Sequence, residues 1–212
     1  MYKEIIVILS ILGFISSVLS VTYVTMTPYG TYDCSGEEAG IGYSFIVNQC
    51  FAIAGDFFTV ELTDSNGNAT IYAYGGSDTS CSSGSQSSKS YTVGDCYDAP
   101  NYVWNAAATP TNYVKVGYEV NPTTIQPYGF RQTTYAPGDS DCSNNPQFYW
   151  FATNDTEIKN GDQFSTWYCY NDESYEIFCD NGPGSCFTDY ASAECFRDFT
   201  HWSTEDYVAG SC

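Results

Sequence analysis

Positive charge is nearly absent from this chain: Lys and Arg together number 6 against 25 Asp and Glu, for a formal net charge of −19. A field of that sign repels phosphate backbones and anionic headgroups, which argues against nucleic-acid and membrane-surface roles. Histidine is scarce too, with His201 alone. One imidazole cannot build a His-rich zinc or copper centre, and its neighbours Thr200 and Trp202 supply no catalytic-triad motif. No two cysteines are separated by two residues, so the Cys-x-x-Cys knuckle of a structural zinc site is missing. Asp64-Ser65-Asn66-Gly67-Asn68 opens like a calcium loop, but Ala69 and Gly75 stand where that loop requires glycine and glutamate. No metal, cofactor or catalytic residue is therefore expected. The segment reads as a turn.

Long apolar runs are also missing, except at the start, where Ile5 to Ile15 follows Lys3 and precedes Ser16-Ser17-Val18-Leu19-Ser20. That run is shorter than the roughly 20 residues a spanning helix needs. With small residues near position 20 it reads as a secretory signal, residues 1–20, cleaved after Ser20. The end of the chain, Asp206 to Cys212, carries no hydrophobic tail for a lipid anchor. A soluble, secreted, extracellular product is expected, with no membrane attachment after cleavage. All ten cysteines lie beyond the signal: Cys34, Cys50, Cys81, Cys96, Cys142, Cys169, Cys179, Cys186, Cys195 and Cys212. An even count in a secreted chain reads as five disulfides.

What is abundant is Tyr, Phe, Gly, Ser and Thr, the vocabulary of strands and tight turns. Partial alternation marks Thr22–Thr27, Phe57–Thr63, Ala69–Tyr74, Asn112–Val120 and Gln147–Thr153 as strands. Phe58–Thr63 and Ala69–Tyr74 flank Asn66-Gly67, which suits a hairpin turn with positive φ. Phe164–Tyr170 and Tyr175–Phe178 form a second hairpin of the same layout. Thr188-Asp189 could cap a short helix reaching Arg197. The fold class is all-β, a disulfide-stabilised antiparallel β-sandwich.

Motifs recur at a near-constant offset. Gly55-Asp56-Phe57-Phe58 matches Gly161-Asp162-Gln163-Phe164 at 106, and Asp33-Cys34-Ser35 matches Asp141-Cys142-Ser143 at 108. Ser80-Cys81 matches Ser185-Cys186, and Cys96 matches Cys195. Two related units are expected, residues 21–120 and 121–212. Within the first, Tyr29-Gly30 before Cys34 echoes Tyr74-Gly75 before Cys81. Spacing first suggests the local bonds Cys34–Cys50, Cys81–Cys96 and Cys186–Cys195, among the many pairings ten cysteines allow.

Ile71-Tyr72-Ala73-Tyr74-Gly75-Gly76, Cys81, Tyr91-Thr92-Val93-Gly94-Asp95-Cys96 and Tyr113-Val114-Lys115-Val116 resemble secreted relatives of the βγ-crystallins. The resemblance implies Greek-key-like sandwich units. The family's calcium box is absent, since Thr109-Pro110-Thr111-Asn112-Tyr113 stands in its place, so no binding residue carries over.

Candidate ligand contacts are aromatic. Tyr149-Trp150-Phe151 and Trp167-Tyr168 put rings on both faces of their strands, so some are expected outside a single core. Tyr149, Trp150, Trp167 and Tyr168 are therefore candidate sugar-stacking residues; the competing role is packing against cystines. Asn68-Ala69-Thr70 and Asn154-Asp155-Thr156 are glycosylation sequons, with Asn68 and Asn154 as acceptors. Paired carboxylates for glycoside hydrolysis could be drawn from Asp56, Glu61, Asp162, Glu173 and Glu176, without a basis for choosing among them. The reading is a secreted non-enzymatic binding protein, for carbohydrate or a cell-surface or matrix partner. The alternatives are a secreted glycoside hydrolase using two carboxylates, and a structural coat or matrix component or secreted effector.

Overall fold

A computed structural model describes residues 20–102, 111–120, 129–191, 193–198 and 206–212. Residues 1–19 of the proposed signal, Trp104 and His201 lie outside the described residues. Sixteen strands account for all the regular structure described: β1 (Thr22–Tyr29), β2 (Ile41–Ile46), β3 (Phe51–Ile53), β4 (Asp56–Thr63), β5 (Asn68–Tyr74), β6 (Ser87–Thr92), β7 (Cys96–Asp98) and β8 (Tyr113–Val120), then β9 (Arg131–Tyr135), β10 (Phe148–Ala152), β11 (Thr156–Asn160), β12 (Gln163–Tyr170), β13 (Glu173–Cys179), β14 (Cys186–Ala191), β15 (Phe196–Arg197) and β16 (Tyr207–Ser211). The five strands read from alternation are all present. The helix expected from Thr188 to Arg197 is not: β14 and β15 occupy most of that stretch, and Thr188 sits opposite Ile177 in the β13·β14 ladder. Tertiary pairing overrides the local capping signal.

Two four-stranded antiparallel sheets, β3-β4-β5-β6 and β11-β12-β13-β14, lie against one eight-stranded sheet of order β15-β16-β9-β10-β2-β1-β8-β7. The eight-strand order is palindromic. Each strand on one side of the β10·β2 junction answers the strand eight places along the chain on the other side, and the two small sheets answer each other strand for strand. At the junction the equivalent strands pair antiparallel, with Tyr43 opposite Trp150 and Phe45 opposite Phe148.

The core is continuous across that junction. Every residue of β2 and β10 is buried. The Phe148 ring lies 5.4 Å from Phe45 and 6.4 Å from both Tyr43 and Phe51. Under the first small sheet Val24, Met26, Val114 and Val116 meet Val60, Ala69, Ile71 and Tyr91. Under the second the filling is Phe130, Trp150, Ile158 and Trp167. Two buried hydroxyls on β2 and β9, those of Ser44 and Thr133, have no hydrogen-bond partner.

Five disulfides form and no free cysteine remains. The pairs are Cys34–Cys96, Cys50–Cys81, Cys142–Cys195, Cys169–Cys212 and Cys179–Cys186. The expected local bonds Cys34–Cys50, Cys81–Cys96 and Cys186–Cys195 do not occur. Cys34 follows β1 and Cys96 opens β7, and both strands flank β8, so the sheet brings together residues 62 apart. Cys142–Cys195 is the same bond at the corresponding place, and Cys179 faces Cys186 directly across β13·β14.

The echo around Cys34, Cys81 and Cys142 is a real local structure. All three take a left-handed backbone, with φ of 51°, 50° and 51°. Each donates its N–H to the carbonyl three residues back, on Thr31, Asp78 and Asp139. Such φ values are uncommon for a residue with a Cβ. At Cys81 and Cys142 a carboxylate helps hold the turn: Asp78 accepts from the N–H groups of Ser82 and Ser83, and Asp139 from those of Ser143 and Asn144.

Candidate functional site

The four aromatic candidates are not gathered on one open face. Trp150 and Trp167 are each 5 % exposed and pack edge to face at 5.4 Å in the core under the second small sheet. The Trp150 indole also donates to Gln132 Oε1 at 2.8 Å. Tyr149, 6 % exposed, lies on the opposite side of β10 from Trp150, with the Arg131 guanidinium 5.8 Å from its ring centre. Only Tyr168 is partly open, stacked on Tyr175 at 5.4 Å on the outer face of the second small sheet. The two tryptophans thus have their ring faces occupied by packing. Residues on both sides of β10 are buried, which the single-core argument from the sequence did not allow for.

The carboxylates are also dispersed. Asp56 and Glu61 belong to the first small sheet; Glu173 and Glu176 belong to the second, and Asp162 lies in its β11–β12 turn. Among the described residues no group of three or more His, Cys, Asp or Glu is placed to hold a metal ion. No helix among them is long and apolar enough to cross a membrane. Asn154 is exposed, and its side-chain oxygen accepts from the Cys169 N–H at 2.9 Å. Asn68 opens β5 and donates to Asp64 at 2.8 Å.

A different feature has the shape of a site. On the inner face of β4-β5-β6 a cleft of about 660 Å³ opens between the sheet and residues 100–102. A volume of that order holds a small organic ligand. Its apolar wall includes Phe58, Ile71 and Tyr102, and its polar groups include Asp56, Ser87 and Lys89. Period-two alternation aims Ser87, Lys89 and Tyr91 of β6 at the same face as Ile71 and Ala73 of β5.

Tyr102 anchors the roof. Its ring meets Tyr43, Phe45 and Phe58 nearly at right angles, at 5.3–6.1 Å. Its hydroxyl lies 3.3 Å from that of Tyr91. Burial, with the Tyr91 hydroxyl adding to it, pushes the Tyr102 phenol well above its ordinary range, so it is neutral. The Tyr43 hydroxyl pins the same loop by donating to the Pro100 carbonyl at 2.8 Å. Lys89 Nζ stands 5.0 Å from the centre of the Tyr91 ring, a cation–π geometry.

Strand register fixes what stands at the corresponding place in the second small sheet. Ser165, Glu176, Phe178, Phe187 and Asp189 occupy the positions of Phe58, Ile71, Ala73, Ser87 and Lys89. The cleft's chemistry is therefore not repeated: a lysine becomes an aspartate and an isoleucine a glutamate. Sequence reading missed this site because its residues come from four separate stretches that only the register assembles. Lys89, as one of so few cations, was the signal available.

Comparison with curated proteins finds an uncharacterised protein of Dictyostelium discoideum, 27 % identical over 207 residues. The alignment covers 89 % of this chain and 65 % of that protein, so the chain spans just under two thirds of its relative's length. No solved structure matches. The resemblance to βγ-crystallin relatives has no counterpart among these matches. The model of the counting factor-associated protein A/B/C family matches residues 2–207, nearly the whole chain, and the chain belongs to that family.

Proposed function

We propose that this chain is a secreted, non-enzymatic binding protein of two related units, residues 21–120 and 121–212, whose first unit takes a carbohydrate in the cleft beneath β4-β5-β6. The cleft lining carries the reading: rings from Phe58, Tyr91 and Tyr102 stand beside hydroxyl, amide and charged groups, the mixture that sugar recognition uses. Five disulfides favour an oxidising, extracellular setting. Asn68 and Asn154 are the sites where this reading places glycans. The ligand is expected to be bound once per chain, because the second unit has different residues at the cleft positions.

Glycan-array screening of the secreted protein, followed by titration calorimetry on any hit, tests this. Ser87 is exposed at the cleft, so Ser87→Trp fills the space without entering the core. Binding at one site per chain, lost in Ser87→Trp, is the expected result. A hit that Ser87→Trp leaves intact, or no hit at all, sinks the cleft as a sugar site. The family description, which speaks of association with a counting factor, favours a second reading in which the chain acts as a component of an extracellular protein assembly. Co-purification of a discrete partner in the absence of any sugar ligand would favour that one.

A further inference from the structure

Among the described residues no strand pairs with the outer edge of either small sheet, although the Thr92 N–H donates to the Tyr97 hydroxyl at 2.8 Å and the Tyr190 N–H to Asp189 Oδ1 at 2.8 Å. β6 (Ser87–Thr92) closes one and β14 (Cys186–Ala191) closes the other, six residues each. Among the described residues the other free edges are shorter: three residues in β3 and β7, two in β15, and five in β11, where Lys159 and Glu157 pair with each other at 3.0 Å. A long exposed strand edge is a template for pairing with another chain.

β6 and β14 are equivalent strands, and this protein already shows how equivalent strands of its two halves join. β2 and β10 pair antiparallel at the centre of the large sheet, about one corresponding pair, Tyr43 and Trp150. The same relation, centred on Lys89 of one copy and Asp189 of another, sets those two side chains opposite each other. Ser90 then meets Thr188, and Tyr91 meets Phe187. Inner-facing residues meet inner-facing ones throughout, because Lys89 and Tyr91 share a face with Ile71, and Asp189 and Phe187 share a face with Glu176 and Phe178. Lys89 and Asp189 are exposed, and Phe187 is 56 % exposed.

We infer that β6 of one copy pairs with β14 of a second copy, head to tail, with Lys89 against Asp189 as the selecting contact. Opposite charges directly across a strand pair favour it, whereas like charges disfavour it. Pairing β6 with itself brings two lysines together, and pairing β14 with itself brings two aspartates together. Each chain then has one edge of each kind, so the contact propagates into rings or open chains instead of stopping at a symmetric dimer. Because the bodies carry −19 apiece, association is weakest at low salt, where long-range repulsion is unscreened. It strengthens towards physiological ionic strength, where the screening length falls to about 8 Å.

Sedimentation velocity on the full secreted chain, over a range of concentration and salt, tests the inference. The wild-type protein is expected to form species larger than a dimer. Lys89→Glu alone and Asp189→Lys alone each weaken self-association by about tenfold, the reversal of a directly opposed charge pair. The double variant restores it, and mixing the two single variants restores it too. Asp189 takes no part in the cleft, so its variant separates loss of assembly from loss of ligand. A protein that stays monomeric at every concentration, or self-association that ignores both charge reversals, overturns the inference.

Discussion

Removing the disulfides one at a time should produce a ranking set by the loops they close. A crosslink restricts the unfolded chain more as the loop it closes lengthens. Cys34–Cys96 joins residues 62 apart and Cys142–Cys195 joins residues 53 apart. The chain-entropy relation gives about 4.3 and about 4.2 kcal/mol for them at 25 °C. Cys179–Cys186 spans only 7 residues across one strand pair, for which the same relation gives about 2.4 kcal/mol. Against a domain stability of roughly 5–15 kcal/mol, either long staple is a large fraction of the total. The assay is urea unfolding of paired Cys→Ala variants, reading ΔG from midpoint and slope together, because a looser unfolded state raises the slope. Near-equal losses for the two long staples, with a clearly smaller loss for Cys179/Cys186, are expected. If the Cys179/Cys186 variant loses as much as the other two, the reasoning from loop length is refuted.

Trp150→Ala removes a ring packed against both Phe130 and Trp167 and should cost about 3–5 kcal/mol; a loss under 1 kcal/mol in thermal or urea unfolding would show that the ring is not in the core. The Asp78 carboxyl is pulled down to about 2 by the Ser83 hydroxyl and then by the Ser83 and Ser82 N–H groups. A depressed carboxyl stabilises the folded loop above its ordinary value of about 3.9 and stops doing so as pH falls through its folded value. Amide exchange at Ser82 and Ser83 in the wild-type protein should therefore quicken between about pH 4 and pH 2 relative to the intrinsic rate. In Asp78→Asn it should be faster at neutral pH and lack that step, and identical profiles for the two proteins would remove Asp78 from the turn.

The fold class was legible because the signals for it are local. Alternation located β1, β4, β5, β8 and β10, and turn chemistry located both hairpins. The first hairpin turn differs in detail: Gly67 donates to the Asp64 carbonyl, and the two residues between them, Ser65 and Asn66, take φ of 56° and 68°. With Asp64 also at φ 53°, the positive φ values run over Asp64-Ser65-Asn66 and stop before Gly67, earlier than the Asn-Gly pair suggested. The disulfides were not legible, because each partner is chosen by which strand returns beside which. β8 pairs with β1 on one side and with β7, which opens with Cys96, on the other, and no spacing rule along the chain contains that information.

The correspondence between the two small sheets is sharpest where sequence similarity and strand register part. Matching Gly55-Asp56 to Gly161-Asp162 sets the hairpins at an offset of 106. The ladders set it at 107, because Ile53 faces Asp56 across Ala54-Gly55 while Asn160 faces Gln163 across Gly161-Asp162. The turns differ in kind: Ala54 and Gly55 both have positive φ, whereas in the later turn only Gly161 does. One residue of slip in a strand exchanges its two faces. At 106, Trp167 would answer Glu61 and face solvent, as the sugar-stacking reading wanted. At 107 it answers Val60, which is fully buried, and Trp167 fills the corresponding place in the second core at 5 % exposure. The same shift puts Ser165, not Phe164, at the position of Phe58 and so takes away one aromatic wall of the cleft. Trp167 is thus drawn into the core because Gly-Asp fills the β11–β12 turn, whereas in the β3–β4 turn the glycine is the last turn residue and the aspartate already opens the strand.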